Sequence, residues 1–184
     1  MNHEASAFGL EFKYAPLTRP PGEPESAIGG YASVFGVADQ GGDVVEPGAF
    51  GASLKRLSDA GCSVKMLWQH DPSSPVGVWD AVAEDAIGLS VKGRLLTEIS
   101  QGAEAAALLA FGAIDGLSIG YRTVRSEKMR GGGRRLIELD LWEVSLVTFP
   151  MLPTARASAS APEQVISLAE SLTAALSGAR QAFA

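Results

Sequence analysis

The sequence has few of the residues that support disulfide, secretory or membrane chemistry. Its one cysteine, Cys62, excludes an internal disulfide and fits a reducing cytoplasm. No apolar run approaches the length of a membrane span, and the first residues lack the basic and apolar segments of a secretory signal. It has two histidines, His3 and His70, so histidine-dependent catalysis has only two candidate positions. We therefore expect a cytoplasmic protein that does not contact a membrane.

Positive charge is also scarce. The net charge of −6 argues against general binding of nucleic acid. The basic stretch from Arg130 to Arg135 contains three consecutive glycines, and we interpret it as the solvated tip of a hairpin. Asp39 and Asp43 flank Gly41 and Gly42, but two carboxylates are too few for a convincing metal site. We interpret them as a turn held by bonds from side chains to the backbone, and the sequence indicates no metal and no cofactor.

What the chain has is a large apolar fraction, 46% of 184 residues, which is enough for one domain with a real core and a tail. Alternation and turn residues predict helices and strands in mixed order. The helices are expected at 47–57 and 98–111, and the strands at 8–14, 28–35, 63–69, 76–83, 89–95, 116–126 and 136–150. This order predicts an α+β fold, with a mostly antiparallel β-barrel-like core and surrounding helices.

The domain is predicted to span residues 1–153. Residues 154–162 are small and core-poor, which is typical of a linker. Residues 163–179 have apolar side chains at helical spacing, so we predict that 154–184 forms a flexible linker followed by an amphipathic helix. The three tryptophans, Trp68, Trp79 and Trp142, are expected in the core or in the wall of a cleft.

A serine framed by glycines is the most distinctive motif. Gly116 to Gly120 reads G-x-S-x-G, which suggests that Ser118 is a nucleophile; the alternative is a serine in a glycine-flanked strand. The residues after Gly120 favour a continuing strand, and both histidines precede the serine. An α/β-hydrolase needs a helix there and a later histidine, so that fold is excluded. If Ser118 is a nucleophile, His70 is its realistic base; otherwise His70 is an ordinary loop histidine.

A catalytic histidine needs a partner on its second ring nitrogen. Spacing does not choose among five acidic candidates: Asp71, Asp80, Glu138, Asp140 and Glu143. Glu143 lies between Trp142 and Val144 in an apolar strand. A buried carboxylate there needs a partner, which a histidine would supply. Alternatively, Glu143 points to solvent between inward-facing residues.

Four sequence blocks resemble those of the prohead (procapsid maturation) serine proteases of tailed phages and phage-like gene transfer agents. They occur in the family's order and together cover roughly residues 28–153. The blocks are 30–50, 66–71, 116–121 and 141–150. The family's fold is similar to that of the herpesvirus assemblins, so the resemblance implies a barrel-like core with helices around it.

The resemblance implies that His70 is the general base, Ser118 the nucleophile and Glu143 the third catalytic residue. Glu143 takes the place of a second histidine in the assemblins, and a carboxylate there is similar to what the phage enzymes use. Assemblins then supply arginines to the oxyanion site, where this chain has Met151 and Leu152. Backbone N–H groups are therefore the expected oxyanion donors.

Family resemblance also implies a biological role. The expected activity is a serine endopeptidase that cleaves scaffold, the N-terminal segment of the major capsid protein, or both, and probably itself. It would act inside the assembling procapsid in the bacterial cytoplasm, with the C-terminal helix docking to scaffold or capsid. Analogy with assemblins suggests a homodimer. The alternatives are a non-catalytic assembly factor that binds scaffold through the same fold, and an esterase-like hydrolase.

Overall fold

The computed structural model of the chain describes residues 26–158. The strands are β1 (Ala27–Val34), β2 (Val44–Val45), β3 (Lys65–Trp68), β4 (Asp71–Glu84), β5 (Gly88–Leu95), β6 (Gly116–Lys128), β7 (Arg134–Val147) and β8 (Ala157–Ser158). The helices are α1 (Gly51–Asp59) and α2 (Ser100–Ala110). Neither of these two described helices is long and apolar enough to cross a membrane. The predicted strand at 8–14 and helix at 163–179 lie outside the described residues.

The eight strands form one sheet in the order β2-β7-β3-β4-β5-β1-β8, with β6 paired to β7. Strand β7 has neighbours on both edges, because β6 runs antiparallel along one and β2 and β3 run parallel along the other. The sheet curls until its ends meet, where Gly116 on β6 bridges to Arg156 and β8 pairs with β1. The α+β class with a barrel-like, mostly antiparallel core is confirmed. The two parallel pairings were not predicted.

The core lies on the inner face of the curled sheet. Fully buried side chains from β3, β5, β6 and β7 meet there, including Met66, Val91, Leu117, Leu139 and Leu146. Helix α1 fills a gap in the edge of β7 between β2 and β3. Two backbone N–H groups of β7, at residues 139 and 141, donate to the Ala49 carbonyl and to the Ser53 hydroxyl, both at 2.9 Å. Helix α1 and the residue Ala49 just before it therefore satisfy N–H groups that would otherwise be buried without partners.

A β-bulge interrupts β7 at Trp142. Gly120 on β6 pairs with Glu143, but the next residue, Tyr121, pairs with Leu141, so Trp142 is an extra residue without an opposite partner. An extra residue of this kind bends the strand and redirects its side chains. Trp142 is 61% exposed as a result, whereas Trp79 is buried in the core.

The bulge reverses which residues of β7 face inward. Directly before it, the odd-numbered Leu139 and Leu141 are buried in the core; after it, the even-numbered Val144 and Leu146 are. Side chains alternate between faces along a strand, so the residues between these core positions point outward. Glu143 thus lies on the outer face of the sheet, where an uninterrupted strand would have turned it into the core.

Residues 154–158 were predicted as the start of a linker, but they pack into the fold. Ala155 is 1% exposed, and its carbonyl accepts the Leu117 N–H at 2.9 Å. A Cβ at Gly30 would lie 2.1 Å from the Arg156 carbonyl oxygen, so the two backbones approach closely. The absence of a side chain at Gly30 allows this close contact. The packed region reaches Ser158, and residues 159–184 of the predicted tail lie outside the described part.

Candidate active site

Ser118 lies in the interior of β6 and not at a strand-to-helix turn. It is opposite Ser145 on β7 and is 9% exposed. The flanking glycines do not expose the hydroxyl. Their missing side chains leave space for atoms of β7. A Cβ at Gly116 would lie 2.5 Å from the Val147 carbonyl oxygen, and one at Gly120 would overlap Glu143. The motif is therefore needed for close packing of β6 against β7.

His70 belongs to a two-residue turn between β3 and β4. Trp68 pairs with Asp71, which leaves Gln69 and His70 as the turn. Their φ angles are 49° and 63°, so both are left-handed, as a type I′ turn requires. Such angles are uncommon for residues other than glycine and store strain. The sequence placed His70 at a strand end, which is correct, but β4 starts at once and continues through Pro72.

Backbone and side-chain bonds to β7 and to Thr148 just after it hold this turn in place. The Gln69 N–H donates to the Leu146 carbonyl at 2.9 Å, and the Gln69 Nε2 donates to the Thr148 hydroxyl at 2.8 Å. The His70 N–H donates to the Ser145 Oγ at 3.2 Å. The strained turn is thereby fixed against the strand that carries Glu143.

These elements bring His70, Ser118 and Glu143 together. The His70 Nε2 is 3.0 Å from the Ser118 Oγ, and the His70 Nδ1 is 2.6 Å from the Glu143 Oε1. With Nδ1 protonated and donating to the carboxylate, Nε2 is free to accept the serine proton. The three side chains come from adjacent elements in the order β6, β7 and the turn after β3, with β7 in the middle.

Other acidic candidates from the sequence are engaged elsewhere. Asp80 pairs with Arg94, and Asp140 pairs with Arg56 and Arg122. The hydroxyls of Ser73 and Ser74, followed by the Ser73 N–H, hold the pKa of Asp71 below its usual range. Asp71 therefore stays anionic, and its two carboxylate oxygens accept bonds from the Ser73 and Ser74 hydroxyls.

Glu143 is held by two residues that sequence reasoning did not identify. Ser145 donates its hydroxyl to the Glu143 Oε2 at 2.5 Å, and a Cβ at Gly120 would come within 1.9 Å of the Oε1. Glu143 is 8% exposed and Ser145 is fully buried. Both residues lie in the motif blocks, but their contact with Glu143 depends on the β6–β7 register, which sequence patterns did not supply.

The arrangement supplies an activated hydroxyl. A serine becomes a useful nucleophile when a positioned base takes its proton and a carboxylate stabilises the resulting imidazolium. Within residues 26–158, no group of three or more histidine, cysteine, aspartate or glutamate side chains is placed to hold a metal ion. The candidate turn aspartates behave as predicted: the Asp39 Oδ1 accepts the N–H groups of Gly41 and Asp43.

The chain is also similar in sequence to known proteins. A family model described as caudovirus prohead serine protease matches residues 16–167. The chain is 36% identical over 124 residues to the prohead protease of Enterobacteria phage HK97, covering 66% of this chain and 54% of that protein. It therefore spans about half the length of this curated relative.

Two solved structures are also similar. The capsid assembly protease of bacteriophage T4 superposes with a TM-score of 0.56 and 14% identity, over 66% of this chain and 80% of that one. The KSHV protease, in complex with a hexapeptide phosphonate inhibitor, superposes with a TM-score of 0.47 and 16% identity, over 71% of this chain and 63% of that one. The T4 likeness shows a shared fold.

Proposed function

Because the chain belongs to the caudovirus prohead serine protease family, we propose that it is a serine endopeptidase with Ser118 as nucleophile, His70 as general base and Glu143 as the carboxylate that orients the base. One observation carries the proposal. A single imidazole lies 3.0 Å from the Ser118 Oγ and 2.6 Å from the Glu143 Oε1, which are the distances that proton transfer and orientation need.

In this mechanism the His70 Nε2 takes the Ser118 proton as the Oγ attacks a peptide carbonyl carbon. The imidazolium then passes that proton to the leaving amine, which separates and leaves an acyl group on Ser118. A water molecule, deprotonated by the same nitrogen, releases the acyl group and restores the serine. Glu143 stays ionised and stabilises the imidazolium in both halves. Backbone N–H groups are the proposed donors to the oxyanion.

The substrates we propose are the scaffold, the N-terminal segment of the major capsid protein, or both, and the chain itself. The names of the relatives support this, since one is a prohead protease and another a capsid assembly protease. Cleavage would take place inside the assembling procapsid in the host cytoplasm. The homodimer and the docking of the predicted C-terminal helix to scaffold or capsid remain predictions.

Co-expression with scaffold and major capsid protein tests the proposal. We expect defined fragments with the wild-type chain and none with Ser118→Ala or His70→Ala. Ser126→Ala is a matched control, because Ser126 is exposed on the same strand and far along it from Ser118. Undiminished fragments from Ser118→Ala would refute the assignment. Binding of scaffold without any cleavage by the wild type would favour the non-catalytic assembly factor.

A further inference from the structure

A cavity of about 210 Å³ adjoins Ser118 and takes no part in the chemistry described above. It lies beside β6, where β1, the segment 37–45 and residues 151–152 enclose it. Its walls are mainly apolar, with contributions from Val37, Val45, Leu117, Leu136, Met151 and Leu152. Ser118 is itself part of the lining, so the cavity lies directly beside the residue proposed as the nucleophile.

The edge of β6 that faces away from β7 connects the cavity with the serine hydroxyl. Leu117 and Ile119 line the cavity, and alternation along the strand turns Ser118 toward the outer face, where His70 lies. Among the described strands, β6 pairs only with β7. On its other edge, residues 155–156 reach β6 through the bridge at Gly116 and the bond from the Leu117 N–H to the Ala155 carbonyl at 2.9 Å. A substrate that crosses this edge reaches the hydroxyl from one side and the cavity from the other.

Two carboxylates, those of Asp39 and Asp43, also line the cavity, and both already accept hydrogen bonds within the fold. The Asp39 Oδ1 accepts backbone N–H groups at 2.8 and 2.9 Å. Asp43 receives three bonds from the Arg134 guanidinium, between 2.5 and 3.2 Å. These negative charges disfavour an anionic guest, and an apolar group needs no partner from either of them.

We propose that this cavity binds one large apolar side chain of the substrate, next to the bond that is cut. This inference rests on the proposed endopeptidase function and specifies which substrate side chain the enzyme prefers beside the cleaved bond. An apolar cavity of about 150 Å³ in another protein is large enough to bind benzene. The cavity beside Ser118 therefore has room for the side chain of leucine, methionine or phenylalanine.

Two exposed lining residues allow a test that leaves the core intact. Val37 is 41% exposed and Met151 is 51% exposed, so changing either one disturbs little buried packing. Val37→Phe should narrow the cavity and shift cleavage toward small side chains. Met151→Ala should widen it and improve cleavage next to tryptophan. One methylene in an apolar pocket changes kcat/KM by about 10- to 200-fold, so shifts of about tenfold or more are expected.

The experiment digests a proteome-derived peptide library with the full chain and reads the residues beside each cut by mass spectrometry. Phe149→Ala is the matched control, because Phe149 is 88% exposed and near Met151 but does not line the cavity. We expect a wild-type preference for large apolar side chains, kept by Phe149→Ala and moved in opposite directions by the two cavity variants. A preference for acidic or basic side chains would overturn the pocket, as would unchanged profiles in both cavity variants.

The two proposals fail in different ways. Reaction of Ser118 with a fluorophosphonate probe, followed by intact mass, reports the activated serine without using the cavity. If the probe reacts and peptides are cut with no apolar preference, the pocket proposal alone is wrong. If the wild-type chain neither reacts with the probe nor cuts peptides, the endopeptidase assignment is wrong, and so is the pocket proposal that depends on it.

Discussion

Gly120→Ala is a severe test of the site, because it adds one methyl group and removes no functional atom. A Cβ there would lie 1.9 Å from the Glu143 Oε1 and 2.6 and 2.7 Å from the Cδ and Cγ. Ordinary contact begins at 3.4 Å, so the carboxylate must move by about 1.5 Å. A shift of that size takes the 2.6 Å bond between Glu143 and His70 outside good hydrogen-bond geometry.

The expected cost follows from what the carboxylate does. Losing the orienting carboxylate of a serine–histidine pair typically lowers kcat by about 10⁴. We therefore expect Gly120→Ala to lose about 10³- to 10⁴-fold in kcat, with KM nearly unchanged. The assay is peptide cleavage together with the rate of fluorophosphonate reaction at Ser118. Thermal unfolding followed by circular dichroism checks that the variant is folded.

A double-mutant cycle makes the prediction specific. Glu143→Ala removes the atoms that the new methyl group would strike, so Gly120→Ala should cost little further activity in that background. Losses that multiply would show that Gly120 acts through something other than Glu143. Activity of Gly120→Ala within threefold of wild type would refute the steric argument outright.

Three further predictions concern the support of the site. Ser145→Ala removes a hydroxyl between His70 and Glu143; we expect about a 10- to 100-fold lower kcat, measured by peptide cleavage and partly restored by Ser145→Thr. Gln69→Gly loses the bond to Thr148 but relieves a left-handed backbone, so urea unfolding should find it about 1 kcal/mol more stable than Gln69→Ala. Arg134 holds the pKa of Asp43 in the folded protein below its usual range. The stabilisation from this ion pair is therefore fully present above the pKa that Asp43 has in the unfolded chain. It is lost as the pH falls through the pKa that Asp43 has in the folded protein. Asp43→Asn should therefore lower the unfolding free energy at pH 7 by at most about 1 kcal/mol and have less effect at pH 3.

Much of the secondary structure was predictable because local patterns determine it. Gly112 has a φ of 67° just after α2, as expected for the residue that ends a helix. The strand around Ser118 was recognisable from the β-branched and aromatic residues that follow the motif. The hairpin predicted at 130–135 does connect β6 and β7, but Arg134 and Arg135 already belong to β7 and pair with Asp43 and Glu46.

The parts of the site that depend on strand register and pairing direction could not be predicted from the sequence. Alternation alone did not decide whether Glu143 faces His70 or solvent, because the decision depends on an unpaired residue at Trp142. The parallel alignment of β3 with β7 brings the histidine turn next to Ser145, and pairing direction leaves no local signal. The strand at Ala157 was hidden for another reason, since small residues suit both a loose tail and a tight backbone contact.

The extra residue at Trp142 divides β7 into two halves, and the alternation of inward and outward side chains in one half does not determine that in the other. The N-terminal half, residues 134–141, can change its apolar residues to suit the core without rotating the carboxylate. The C-terminal half, residues 143–147, keeps its own alternation and carries both Glu143 and Ser145 outward. Deleting Trp142 would exchange the inward-facing and outward-facing residues of that half. The two halves of β7 are therefore under different constraints. The first can change its core residues, whereas the second must keep the direction in which its side chains point.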